Sequence, residues 1–201
     1  MRLRNVAPLI LVVLLAACAS DTTTIVQVPT PTLIPAPTPI DSGMSALESV
    51  VIVPETSWVD LPLVDARTGA TFRLADFAGK TVYVEPMATW CTNCRAQQNI
   101  VRDVRAQVGD AETVFISLSV ETALTPADLA AYAVTENYGW TFAVASPDML
   151  QALVAQFGLT ISNPPATPHF IISPTGVVSE LSTGQHDAAA LTNQLDAARS
   201  A

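Results

Sequence analysis

The sequence predicts an α/β domain, a mixed central β-sheet flanked by helices and entered through an N-terminal β-hairpin. Three observations carry the prediction. Apolar β-branched runs, Thr81–Met87 and Val114–Val120, alternate with segments of helical period. Helix-start and helix-stop residues bound those segments, with Thr125-Pro126 and Asp187 at starts and Gly158 at a stop. The last two strand-like runs, His169–Ser173 and Val177–Leu181, are joined by Ser173-Pro174-Thr175-Gly176, a tight turn that makes them antiparallel neighbours. About 145 residues, Ser57–Ala201, carry this pattern, enough for one domain with its own core.

In chain order, Trp58–Asp65 and Thr71–Leu74 flank the Arg67-Thr68-Gly69 turn and read as the hairpin. After Asp76-Phe77-Ala78-Gly79, Thr81–Met87 reads as a buried central strand, although Pro86 predicts a bulge or break in it. A helix opens at Cys91, with Ala96, Ile100, Val104 and Val108 spaced along one face. Val114–Val120 is the next strand, and Thr125-Pro126 then starts a helix running to about Asn137, with proline in its first turn. Thr141–Ala145 is a strand, Pro147–Phe157 a helix closed by Gly158, and Asp187 caps a last helix through Leu191 and Leu195.

Composition narrows the partners. The chain carries a formal charge of −9, and no basic cluster follows residue 4, which excludes nucleic acid as a natural ligand. From Asp21 to about Glu55 threonine and proline dominate, with Pro29, Pro31, Pro35, Pro37 and Pro39 in close succession. Such a stretch favours extended polyproline II and buries too little apolar surface to fold alone. It reads as a tether.

The chemistry concentrates at Trp90-Cys91-Thr92-Asn93-Cys94. Two thiols one helical turn apart can close a small disulfide with little backbone movement. At a helix start, the first sulfur faces free backbone N–H groups and the positive end of the helix dipole, which favours its thiolate. The thiolate is the species that attacks disulfides, so the motif reads as thiol–disulfide exchange. A structural staple or half of a zinc site is the alternative. Zinc would need two further ligands at comparable spacing, and the sequence holds no second C-x-x-C and no H-x-x-x-H.

The N-terminus resembles a bacterial lipoprotein signal. Arg2 and Arg4 precede an apolar run, Val6–Ala17, too short to span a bilayer as a mature helix, and Leu15-Ala16-Ala17-Cys18 resembles a lipobox. The resemblance implies cleavage before Cys18 and lipidation of that residue, anchoring the protein to a bacterial membrane on its extracytoplasmic side. The expected organisation is a signal peptide over 1–17, a lipidated tether over 18–56 and a folded domain over 57–201. With Cys18 in the anchor, Cys91–Cys94 is the only disulfide the chain can form. So short a loop contributes little folding stability, which argues for a working bond.

The folded part resembles the thioredoxin superfamily, and within it the TlpA/ResA-like redoxins. The resemblance rests on Leu74-Ala75-Asp76-Phe77-Ala78-Gly79-Lys80, on Ala88-Thr89-Trp90-Cys91-Thr92-Asn93-Cys94-Arg95, and on Thr167-Pro168-His169-Phe170-Ile171-Ile172 followed by Pro174-Thr175-Gly176. It implies a thioredoxin-like fold with an extra helix–strand insertion between Val114 and Pro168. It implies Cys91 as nucleophile and Cys94 as the resolving thiol. Pro168 falls at the family's cis-proline, which would present the Thr167 backbone to a partner strand, and Trp90 would shield the dithiol and touch the partner. Glu85, six residues before Cys91, matches a buried acidic position that moves the proton of the second cysteine. A strand-edge glutamate facing water fits the same residue equally well. Gln97 stands where some ResA-like proteins carry Glu, and His169 and His186 read as structural.

The resulting expectation is a lipid-anchored thiol–disulfide oxidoreductase without cofactor or resident metal. It would reduce exported protein disulfides, apocytochromes among them, and receive electrons from a DsbD/CcdA-type membrane donor. The competing expectation is a copper-delivery module resembling the Sco proteins, with His169 or His186 as a further ligand. Those proteins use C-x-x-x-C, one residue longer than the motif here. A peroxiredoxin-type peroxidase fits less well, since Thr89 stands only two residues before Cys91.

Overall fold

The computed structural model describes residues 57–201. Its order is a short 3-10 turn (Trp58–Asp60), β1 (Leu63–Val64), β2 (Thr71–Phe72), a second 3-10 turn (Leu74–Phe77), β3 (Thr81–Met87), α1 (Thr92–Val108), β4 (Thr113–Ser119), α2 (Pro126–Thr135), β5 (Thr141–Val144), α3 (Pro147–Phe157), β6 (Phe170–Ile172) and α4 (Ala188–Arg199). Four strands form the main sheet in the order β5-β4-β3-β6. β3 runs parallel to β4 and β4 parallel to β5, while β6 is antiparallel to β3. The sheet is mixed, and α2, β5 and α3 fill the chain between β4 and β6, where the insertion was expected.

All seven residues of β3 are buried, as befits a central strand covered on both faces. Alternation sorts its side chains. Tyr83 and Met87 join one core with Cys91, Cys94, Val101, Val104, Leu129, Leu191 and Leu195, so α1, α2 and α4 cover that face. Val82 and Val84 join the opposite core with Met149 and Leu153 of α3 and Leu63 of β1. The helix caps follow the sequence: Thr125, Ser146 and Asp187 each accept a backbone N–H three residues on, and Gly158, at φ 78°, ends α3.

Four expectations change. The hairpin strands are two residues each, because Trp58 packs its ring edge-on against Phe157 and Phe170 instead of pairing. Val177–Leu181 makes one isolated bridge, Ile172 to Val178, and a second, His169 to Ser182, follows just beyond it. The ladder breaks at Ser179, whose hydroxyl accepts the Ile171 amide in place of a backbone carbonyl. On α1, Ile100, Val104 and Val108 pack on the core as their spacing predicts, but Ala96 is exposed and Cys94, Gln97, Gln98 and Val101 complete the buried face. Its two glutamines are accepted inside because each oxygen has a donor, the His186 amide at 2.9 Å for Gln97 and the Tyr132 hydroxyl at 2.7 Å for Gln98. Finally, β3 runs unbroken through Pro86. The Met87 carbonyl accepts from Val120 on the β4 side, so the nitrogen of Pro86 faces the other edge, where β6 pairs no further than Val84.

Candidate functional site

The site sits at the carboxyl end of β3, where the central strand delivers the chain to the start of α1. The Cys91 amide donates to the Ala88 carbonyl at 3.1 Å, closing a tight turn over Thr89 and Trp90. Cys91 is the N-cap of α1, in extended conformation, and its Sγ accepts the Cys94 amide at 3.1 Å. A helix-start N–H therefore points at the sulfur, the contact that stabilises a thiolate there. Cys91 and Cys94 are joined as a disulfide with their Cα atoms 5.3 Å apart. Cys91 keeps 2% of its surface and Cys94 none, whereas Trp90 stands 62% exposed beside them.

A proline turn forms the facing wall. Pro164–Ala166 makes a 3-10 turn whose Pro164 carbonyl lies 3.3 Å from Cys94 Sγ, placed to accept from that thiol once the disulfide opens. Asn93 Nδ2 donates to the Pro165 carbonyl at 2.9 Å, tying the turn to α1. Pro168 is buried, and no peptide bond among the described residues is cis. The expected cis-proline geometry is thus corrected. The chain reverses instead at Thr167, which takes the left-handed conformation at φ 44° and ψ 55°. Thr167 is buried and its amide donates to the Pro164 carbonyl at 2.8 Å, so that donor faces inward. A cleft of about 520 Å³ opens beside Asn93, Pro165, Thr167, Thr183 and Gln185.

The face of β3 that α1 covers carries buried polar side chains. Glu85 has none of its surface exposed, which overturns the strand-edge alternative. Strand alternation puts it on the same face as Tyr83 and Met87, the face covered by α1, and neither carboxyl oxygen has a hydrogen-bond partner. Burial alone holds its pKa well above the ordinary carboxylate range, so it stays protonated where a surface glutamate would be charged. Tyr83 is pushed up as well, first by burial and then by Glu85 wherever that carboxyl is ionised.

The histidines lie elsewhere. His169 is buried, its Nε2 2.9 Å from Gln194 Oε1, with its ring against Tyr83 and edge-on to His186. Burial lowers its pKa. His186 Nε2 pairs with the Ser182 hydroxyl at 3.0 Å. Among the described residues, no group of three or more His, Cys, Asp or Glu side chains gathers in a way that could hold a metal ion. Cys18 lies outside the described residues.

Two participants escaped the sequence reading. The Pro164 carbonyl had only an Asn-Pro-Pro turn signal, and backbone groups leave no signature of what they face. Glu121, whose carboxylate accepts from Thr89, stands 32 residues from its partner, and nothing local marks it.

Comparison with known proteins supplies the relationship. The model of the Redoxin family matches residues 44–197, beginning inside the stretch read as a tether. A thiol:disulfide interchange protein of the thioredoxin family from Chlorobium tepidum is 23% identical, covers 69% of this chain and 92% of its own, and superposes with a TM-score of 0.56. The exposed lipoprotein thioredoxin of Streptococcus pneumoniae is 20% identical over 68% of this chain and 98% of its own, TM-score 0.53. A secreted Mycobacterium tuberculosis disulfide oxidoreductase homologous to Escherichia coli DsbE is 14% identical over 70% and 97%, TM-score 0.55. No curated protein sequence matches the chain.

Proposed function

Since the chain belongs to the Redoxin family and is a thioredoxin-fold thiol–disulfide oxidoreductase, we propose that it reduces disulfides of exported proteins while tethered to a membrane through lipid on Cys18. One observation carries the chemistry: Cys91 caps α1 with its sulfur on the Cys94 amide and is joined to a Cys94 that is itself fully buried.

The reduced enzyme holds two thiols. The Cys91 thiolate attacks one sulfur of a partner disulfide, forming an intermolecular S–S bond and expelling the other partner sulfur as thiolate, which takes a proton. Cys94 then loses its proton and attacks Cys91 Sγ, closing the intramolecular disulfide and releasing the second partner thiol. Two electrons and two protons pass from enzyme to partner. Glu85, buried on the α1 side of the sheet, is the group we assign to exchange the Cys94 proton: in its carboxylate form, made more basic by burial, it takes that proton as Cys94 attacks and afterwards passes it to solvent. The Pro164 carbonyl holds that thiol in place until it is deprotonated. Trp90, being exposed, offers the partner a flat apolar contact, and Thr167 lines the cleft, with the buried Pro168 next to it in the chain.

The lipobox-like Leu15-Ala16-Ala17-Cys18 supports the anchor, with signal peptide 1–17, tether 18–56 and catalytic domain 57–201. Among the described residues no helix is long and apolar enough to cross a membrane. The secreted and surface-exposed relatives support an extracytoplasmic location. There the oxidised enzyme needs reducing equivalents from a membrane donor of the DsbD/CcdA type, and apocytochromes are candidate substrates.

The reading is tested on the mature chain with Cys18→Ser, equilibrated in dithiothreitol and glutathione buffers while free thiols are counted by mass tagging. A potential near about −250 mV or lower supports a reductase. A value of about −120 to −180 mV makes the protein an oxidase or isomerase instead. Incorporation of labelled palmitate into the wild-type precursor but not Cys18→Ser checks the anchor.

A further inference from the structure

We propose that Glu121 is a positioning residue for the dithiol: its carboxylate clamps the turn that carries Trp90 and delivers Cys91 to the start of α1. Glu121 Oε2 accepts the Thr89 amide at 2.6 Å and the Thr89 hydroxyl at 2.9 Å. The Ser119 hydroxyl approaches the same oxygen at 3.5 Å, and the Glu121 amide donates back to Ser119 Oγ at 3.2 Å. The Val120 amide donates to the Met87 carbonyl at 2.9 Å, so the end of β4 is laced to the end of β3 just where the turn leaves the sheet.

The clamp grips the part of the site that packing does not. Ala88 is buried and Cys94 is buried, but between them Trp90 is 62% exposed. An aromatic side chain with so much of its surface in water contributes little burial to hold its own turn. What fixes the turn is the Cys91 amide on the Ala88 carbonyl and the Thr89 amide and hydroxyl on Glu121. Hydrogen bonds to a carboxylate are short and about twice as strong as neutral ones. A half-buried glutamate is therefore suited to this task where a serine or asparagine would hold more loosely. If the turn loosens, Cys91 leaves the extended geometry that sets its sulfur on the Cys94 amide, and the thiolate loses that donor.

The inference rests on the thiol-exchange reading, and its test separates the two. The full mature chain is assayed for reduction of insulin disulfides, and the pH dependence of Cys91 alkylation by iodoacetamide is recorded in parallel. Glu121→Ala is expected to lower kcat/KM about tenfold and to move the alkylation midpoint to higher pH. Glu121→Gln recovers the rate to within about threefold, because the amide oxygen still accepts from the Thr89 N–H and hydroxyls can turn to accept from the amide nitrogen. Thr89→Val, which keeps the backbone N–H and loses the hydroxyl, falls between them. An active wild type with an Ala variant unchanged in rate and pH profile overturns the clamp alone. So does a Gln variant as impaired as the Ala variant, since an acceptor restored at the same place would then recover nothing. A wild type inert in the same assay overturns the thiol-exchange reading and the clamp with it.

Discussion

Replacing Glu85 by Gln should make the protein progressively more stable than the wild type as the pH rises. The carboxyl group is wholly buried, neither oxygen has a partner, and burial raises its pKa well above that of the unfolded chain. Below about pH 4.3 the side chain is neutral in both states and the pH term is absent. Above that value the unfolded chain releases its proton while the folded chain keeps it, which favours unfolding. The wild type therefore loses about 1.4 kcal/mol of stability per pH unit until the folded-state pKa is reached. Glutamine is isosteric and does not titrate, so it removes the slope. Guanidinium unfolding of both oxidised proteins from pH 4 to 8 measures it, the disulfide keeping cysteine titration out of the comparison. His169 titrates equally in both and cancels. A constant offset carries no information, because the amide brings donors of its own. The slope does: parallel curves across the range would mean that Glu85 ionises normally inside the fold, and the proton-exchange role assigned to it would fall.

Cys94→Ser should trap the partner, since the Cys91 mixed disulfide then has no resolving thiol; non-reducing electrophoresis with mass spectrometry should show an adduct for this variant and none for Cys91→Ser. Trp90→Ala should change stability by no more than about 0.5 kcal/mol, because the side chain is largely exposed, while raising KM for a protein disulfide more than it lowers kcat. A marked fall in melting temperature would contradict that assignment. His169, whose pKa burial lowers, contributes stability above the unfolded value of about 6.5 that is lost as the pH falls below it. His169→Gln should flatten this acid limb, and a limb that persists unchanged in the variant would assign it to another group.

Much of the molecule was legible along the chain. The limits of α3, its closing Gly158 and the caps Thr125 and Asp187 stand where the residues indicated, because caps are contacts between a side chain and an amide three residues on. The Cys91–Cys94 pair is local in the same sense, its helical spacing already bringing the sulfurs together. The stripe on α1 holds at Ile100, Val104 and Val108, which pack on the core, but fails at Ala96 and misses Gln97 and Gln98, which point inward with donors from His186 and Tyr132. Trp58 was expected in a strand for its type, and the aromatic rings of Phe157 and Phe170 claim it instead.

The sequence by itself determined the α/β order of elements, the dithiol at a helix start and the residue types available for its chemistry. Each of these depends on neighbours within about one turn of helix or one tight turn of backbone. Only the tertiary structure decided that Glu85 is buried and uncharged, that the chain reverses at a left-handed Thr167 with a trans Pro168, that the Pro164 carbonyl faces Cys94, and that Glu121 reaches Thr89. Burial and hydrogen bonds across 32 or 70 residues follow from how helices stack on the sheet. No local pattern encodes that stacking, because it arises from the summed packing of two cores on opposite faces of the sheet.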